Sequence, residues 1–180
     1  MKRSMLSLTG AMVATAILQT AAYAQHAAMP PGMTHEEHLK QLEKEAGLKR
    51  RGAAAMGFDQ DKATHHFRLT PNGGSVEVGV NDRSDGASRT AIRAHLKDIA
   101  GAFSRGDFAK PFATHGEVPP GVATMQQRQS AITFQYEDTP EGGRVTITTA
   151  DPKTRSAVHE FLRYQIREHH TGDPLTVPGL

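Results

Sequence analysis

Alternation of apolar and polar positions is the strongest signal in the chain. Across Thr64 to Thr70, His65, Phe67 and Leu69 fall on one side and His66, Arg68 and Thr70 on the other. From Ser75 to Val80, Val76, Val78 and Val80 recur at every second position, with Ser75 and Glu77 opposite. A period of two predicts two half-buried strands. Between them Pro71-Asn72-Gly73-Gly74 reads as a turn of residues that tolerate positive φ. The period then changes. From about Ala87 to Phe103, Ile92, Leu96, Ile99 and Phe103 recur at helical spacing, and His95 falls inside their stripe.

The same pattern returns further on. Ile132, Phe134, Tyr136, Val145 and Ile147 share one strand face, and Thr133, Gln135, Glu137, Arg144, Thr146 and Thr148 the other, with Asp138 to Gly143 as the turn. Asp151-Pro152 opens a helix, Asp as N-cap and Pro at the first position. Val158, Phe161, Leu162 and Ile166 give it an apolar face, and Thr171-Gly172 reads as its stop. Gly73-Gly74-Ser75-Val76 parallels Gly142-Gly143-Arg144-Val145. Ala91-Ile92 and Leu96 parallel Ala157-Val158 and Leu162. The expectation is an α+β fold of two ββα repeats: a four-stranded, mostly antiparallel sheet with two helices on one face and a polar, Thr-rich opposite face.

Three segments lie outside the repeats. Residues 104–130 form a long crossover holding Phe108, Pro111, Phe112 and His115, with a short helix through Met125 to Arg128. A connection of that length is often functional, or wraps one side of a core as a lid. Thr34-His35-Glu36-Glu37 has capping-box spacing and opens an N-terminal helix that runs to about Lys49. Its apolar positions Leu39, Leu42 and Ala46 are so few that it is expected to pack loosely, and residues 25–33 read as a flexible leader. Lys2-Arg3, the uncharged apolar run Met5 to Leu18 and Ala22-Tyr23-Ala24 have the form of a secretory signal peptide. The expected organisation is therefore a signal peptide over 1–24, a leader and N-terminal helix over 25–56, and a single ββα–ββα domain over 57–177, in a periplasmic or secreted protein.

Removal of residues 1–24 changes the charge. It takes Lys2 and Arg3 from 21 basic residues and no acid from 19, leaving 19 of each sign. A neutral chain has no general attraction for nucleic acid or for an anionic membrane surface. Cysteine is absent, which excludes disulfides, thiolate metal sites and cysteine nucleophiles. Soft or borderline metal ligands are then left to methionine and histidine.

Met56-Gly57-Phe58-Asp59-Gln60, Thr64-His65-His66-Phe67, Pro119-Pro120-Gly121-Val122, and His159-Glu160-Phe161-Leu162-Arg163 followed by Thr171-Gly172-Asp173 resemble the signature of a family of small, exported, uncharacterised bacterial proteins. The resemblance spans about residues 56–177. It implies export and a shared fold, and it brings no reaction, cofactor or site.

Candidate chemistry gathers in two places. His26, Met29, Met33, His35 and His38 lie within thirteen residues, and His35 and His38 share neighbouring helical surface. Thioether with imidazole suits copper. The second place is the junction of sheet and helices. His65 faces the helices, His95 lies on the inward stripe of the first long helix and His159 at the border of the second. Convergence of these three at one end of the sheet would give a three-imidazole centre for copper or zinc with an open position. The competing reading makes them core histidines bonded to carbonyls or acids. His169 and His170 suit the dipole at a helix C-terminus, and His66 and His115 read as surface or lid residues.

Catalytic signatures are lacking. No G-x-S-x-G occurs, the histidine after His35-Glu36-Glu37 comes one residue early for a zinc protease, and both glycine pairs precede strands rather than helices. The expectations are thus an exported metal-binding protein or, alternatively, a non-catalytic partner- or ligand-binding module with structural histidines. Either is open to a homo-oligomer.

Overall fold

The structure is a computed structural model, and it describes residues 31–179. Helix α1 (His35–Met56) precedes strands β1 (Ala63–Thr70) and β2 (Gly73–Val80) and helix α2 (Gly86–Ser104). The crossover carries two short helices, α3 (Ala109–His115) and α4 (Val122–Gln127). Strands β3 (Thr133–Asp138) and β4 (Gly142–Thr148) and helix α5 (Pro152–Glu168) complete the chain. The four strands form one sheet in the order β1-β2-β4-β3, and every neighbouring pair is antiparallel. The α+β fold with two ββα units is as the patterning predicts.

The two units are related by simple offsets in the chain. An offset of 69 positions carries the β1–β2 register onto the β3–β4 register, taking Gly73 to Gly142 and Val76 to Val145. An offset of 66 relates the helices. It takes Asp85, whose side chain accepts from Ser88 N at the start of α2, to Asp151, which accepts from Thr154 N at the start of α5. The connection into α5 is thus three residues shorter than the one into α2.

Each helix lies over the other unit's hairpin: α2 chiefly over β3 and β4, α5 over β1 and β2. The polar anchors obey both offsets. Arg93 on α2 donates to Thr139 O (2.7 Å) and Gly142 O (2.9 Å) at the second hairpin. His159 on α5 donates through Nε2 to Thr70 O (3.0 Å) at the first. The same swap explains the glycine pairs, which are not turn residues but the first residues of β2 and β4. Only Pro71-Asn72 and residues 139–141 turn the chain. Gly74 lies under Leu162 of α5 and Gly143 under Leu96 of α2, and a Cβ at Gly143 would lie 3.1 Å from Leu96 and 2.8 Å from Tyr136. Absence of a side chain there lets helix and sheet approach, which outweighs the weak strand propensity of glycine.

The core fills the space between sheet and helices. Ile92, Leu96, Val145, Ile147, Val158 and Leu162 are fully buried in it. The opposite sheet face is polar, as expected. There Arg144 bridges Glu77 (2.9 Å) and Glu137 (2.8 Å) across three strands. The outer edge of β1 is closed by the C-terminal segment: Asp173 accepts from Phe67 N (2.9 Å) and pairs with His66 Nδ1 (3.0 Å).

Three boundaries differ from the expectation. The capping box at Thr34 and Glu37 is present, but α1 continues through Arg51-Gly52 to a left-handed Gly57. It does so because it is packed rather than loose. Gly47, Leu48 and Gly52 are buried and α1 lies against α3, where Arg51 donates to Thr114 O (3.1 Å) and His115 O (3.2 Å). The crossover contains α3, which the sequence pattern did not show. Helix α5 ends before Gly172. His170 takes φ 49° where glycine usually sits, and bonds from His170 N to Arg167 O and Thr171 N to Ile166 O complete a Schellman stop.

Candidate functional site

Four histidines from four elements line one cavity. His65 comes from the inward face of β1, His95 from α2, His115 from the last turn of α3 and His169 from the cap of α5. The rings of His65 and His169 stack at 5.4 Å, and His115 stands edge-on to His169 at 5.2 Å. Phe58, just after α1, contacts both His65 (6.0 Å) and His95 (5.8 Å). Apolar walls come from Phe67, Val78, Leu96, Ile99, Phe103 and Phe161, and the space between them is about 60 Å³. No carboxylate lines it. Gln165, at 4% exposure, reaches in from α5.

Burial holds these imidazoles neutral. It pushes His65 and His95 down to about 4 and His169 to about 3, and it lowers His115 as well. Charges of the other histidines add to the burial effect at His65 and His169, and Lys110 adds to it at His95. His115 Nε2 lies 2.9 Å from Gln165 Oε1. The amide oxygen only accepts, so Nε2 carries the proton and Nδ1 presents a lone pair. That Nδ1 is buried without a partner, as are His65 Nε2, His95 Nδ1 and Gln165 Nε2. An unpartnered buried polar group costs about 1–3 kcal/mol.

The chain offsets expose what is unusual here. The sheet offset of 69 takes His65 to Phe134, and the helix offset of 66 takes His95 to Phe161 and Phe103 to His169. The quasi-equivalent place is therefore a phenyl cluster, adjoining the cavity through Phe103 and Phe161, in which Phe103 meets Phe134 at 5.6 Å and Phe161 at 6.1 Å. Phe108, at the start of α3, completes it as His115 completes the histidine cluster. Phenyl rings fill this site in the fold with no polar atom to satisfy, whereas imidazoles fill its counterpart and leave nitrogens without partners.

The predicted three-histidine set is only partly assembled. His65 and His95 share the cavity. His159 does not, since its Nε2 is held at Thr70 O, five residues of extended strand from His65, about 16 Å. The period count places it at the edge of the right helix face but does not show which end of β1 that part of α5 lies over. His115 and His169 take its place. The available signal for His169 was its position two turns after Leu162, and the dipole explanation concealed it. His115 lies in irregular sequence with no period to orient it. In the N-terminal set His35 is exposed and His38 half-buried with Nδ1 unpartnered, while Met33 lies just before α1. His26 and Met29 lie outside the described residues.

Among the described residues no three His, Asp or Glu groups are arranged to hold one metal ion, and no helix is long and apolar enough to cross a membrane. No protein-family model matches the chain, and neither a curated protein nor a solved structure shows significant similarity to it.

Proposed function

We propose that this is an exported, non-catalytic binding protein whose ligand occupies the four-histidine cavity and satisfies its unpartnered nitrogens. The observation that carries the reading is the replacement of three phenyls by three imidazoles at quasi-equivalent places in one core. Imidazole packs no better than phenyl, and each orphaned nitrogen weakens the unliganded fold. A ligand that completes those hydrogen bonds repays the loss by stabilising the folded state through mass action. Export is supported by the form of residues 1–24.

A second reading places a copper or zinc ion among the same rings. Its own supporting observation is that His65, His95 and His115 each leave a ring nitrogen free in one pocket, with the Met56 thioether on the wall. In the described geometry these groups do not converge on one point, so an ion would require side chains to turn.

The triple variant His65→Phe, His95→Phe, His169→Phe tests the proposal. It copies the phenyl cluster, so denaturant unfolding should show an unliganded protein more stable by about 1 kcal/mol for each orphaned nitrogen removed. Histidines that are structural would instead make the variant less stable, and that result would sink the reading. Copper(II) or zinc(II) raising the melting temperature of the wild type, but not of the variant, selects the ion over an organic ligand.

A further inference from the structure

The cavity has a mouth. Met56, His95 and Lys110 line both the inner space and a groove on the surface between the end of α1 and the outer side of α2. Small residues make up that groove: Ala54, Ala55 and Gly57 on one side, Ala91 and Ala94 on the other. At its end Lys110 of α3 and Asp98 of α2 pair at 3.0 Å. Of the three residues that line both, Met56 is the flexible apolar one, and an unbranched thioether can swing aside at little cost.

The two spaces differ in what they accept. About 60 Å³ corresponds to roughly four water-sized spheres at ~15 Å³ each, room for a head of three or four heavy atoms and too little for a six-membered ring. One polar pair on its wall is asymmetric. Gln165 Nε2 has N–H groups to donate, and His115 Nδ1 has a lone pair to receive. A carboxylate offers only acceptors and would leave His115 Nδ1 bare. An ammonium offers only donors and would leave Gln165 unmatched. A primary carboxamide or a hydroxyl supplies both and carries no charge into a space walled by neutral rings. Beyond the head, the groove is open to solvent and floored by small side chains, so an unbranched chain can lie along it, whereas a ring joined directly to the head would have to enter a space of about 60 Å³.

Building on the binding reading above, we infer that the ligand is a narrow, unbranched molecule with a neutral carboxamide or hydroxyl head, held head-inward by Gln165 and His115 and passing Met56 so that its chain lies in the alanine groove.

Isothermal titration of the full chain at pH 7 tests this with a matched series: hexanamide, hexan-1-ol, hexanoate, hexylammonium and cyclohexanecarboxamide. Acetamide serves as a head without a chain, and NMR of the histidine rings reports on the cavity. Hexanamide and hexan-1-ol should shift the ring signals and bind at least tenfold more tightly than hexanoate, hexylammonium or the cyclohexyl amide. Ala94→Trp, a substitution at an exposed position that blocks the groove, should weaken hexanamide at least tenfold and leave the acetamide shifts unchanged. Equal binding of the charged or ring-bearing compounds, or an Ala94→Trp protein that still binds hexanamide fully, overturns the inference and leaves the cavity as a site for a different ligand. If no probe, acetamide included, moves any ring signal, the inference falls together with the organic-ligand reading on which it rests.

Discussion

At the scale of single residues, the described histidines divide by what their ring nitrogens meet. His159 and His66 are answered, one by a carbonyl and the other by Asp173. His65, His95 and His115 each keep a nitrogen buried and unanswered. His159→Ala should therefore behave as the loss of a structural anchor. It should destabilise the protein by about 1 kcal/mol in urea unfolding, the net worth of a hydrogen bond, and leave any cavity ligand bound with unchanged affinity. A large loss of binding would place His159 back in the site. Two of the three predicted cavity positions, His65 and His95, were legible because strand and helix periods fix which side a residue faces. His159 lies over the same strand as His65 but five residues away along it; periodicity gives a face and says nothing about how far along the strand that face sits.

At the scale of elements, the glycines show how local chemistry and packing can share one signal. A Gly-Gly pair after Pro-Asn has every mark of a turn, and the turn is there, but the glycines belong to the strand for a tertiary reason no local pattern contains. Gly74→Ala places a methyl against Leu162 and the Arg68 carbonyl. It should cost about 2 kcal/mol or more, in the range of overpacked cores, with a parallel loss at Gly143→Ala. An alanine tolerated without loss at either position would show that helix and sheet do not need this approach. The bodies of α2 and α5, the Asp-Pro start of α5 and all four strands are readable because each carries its period, whereas the Asp85 cap of α2 and the His170 stop of α5 are not. Helix α3 is not readable either, because seven residues with a proline among them are too few to establish a period, and α1 outran its predicted end because burial of Gly47, Leu48 and Gly52 against α3 overrides two glycines.

At the scale of the whole molecule, four neutral imidazoles make stability depend on acidity. Their folded-state affinity for protons lies below that of the unfolded chain, where histidine titrates near 6.5. The unfolded state therefore binds more protons between those limits, and stability falls as pH falls. The contribution is fully present above about pH 6.5 and is lost progressively toward pH 4, the value to which His65 and His95 are pushed. Each histidine adds a slope of up to about 1.4 kcal/mol per pH unit. Urea unfolding at pH 7, 6 and 5 should show the uptake of about three protons, and the triple phenylalanine variant should flatten the dependence. A wild-type protein equally stable at pH 5 and 7 would mean that the rings are already charged or solvated.

The crossing of each helix onto the opposite hairpin has a consequence for how the two ends came to differ. A ββα unit alone has nothing beneath its helix, so the smallest body that closes this core is a pair of units. In a pair of identical, separate chains every substitution is made twice, once at each end. Imidazole at one end would mean imidazole at both, with twice the number of unanswered nitrogens. Joined in one chain, the units are free to diverge. One end keeps its phenyls, while the other carries imidazoles whose buried nitrogens go unanswered.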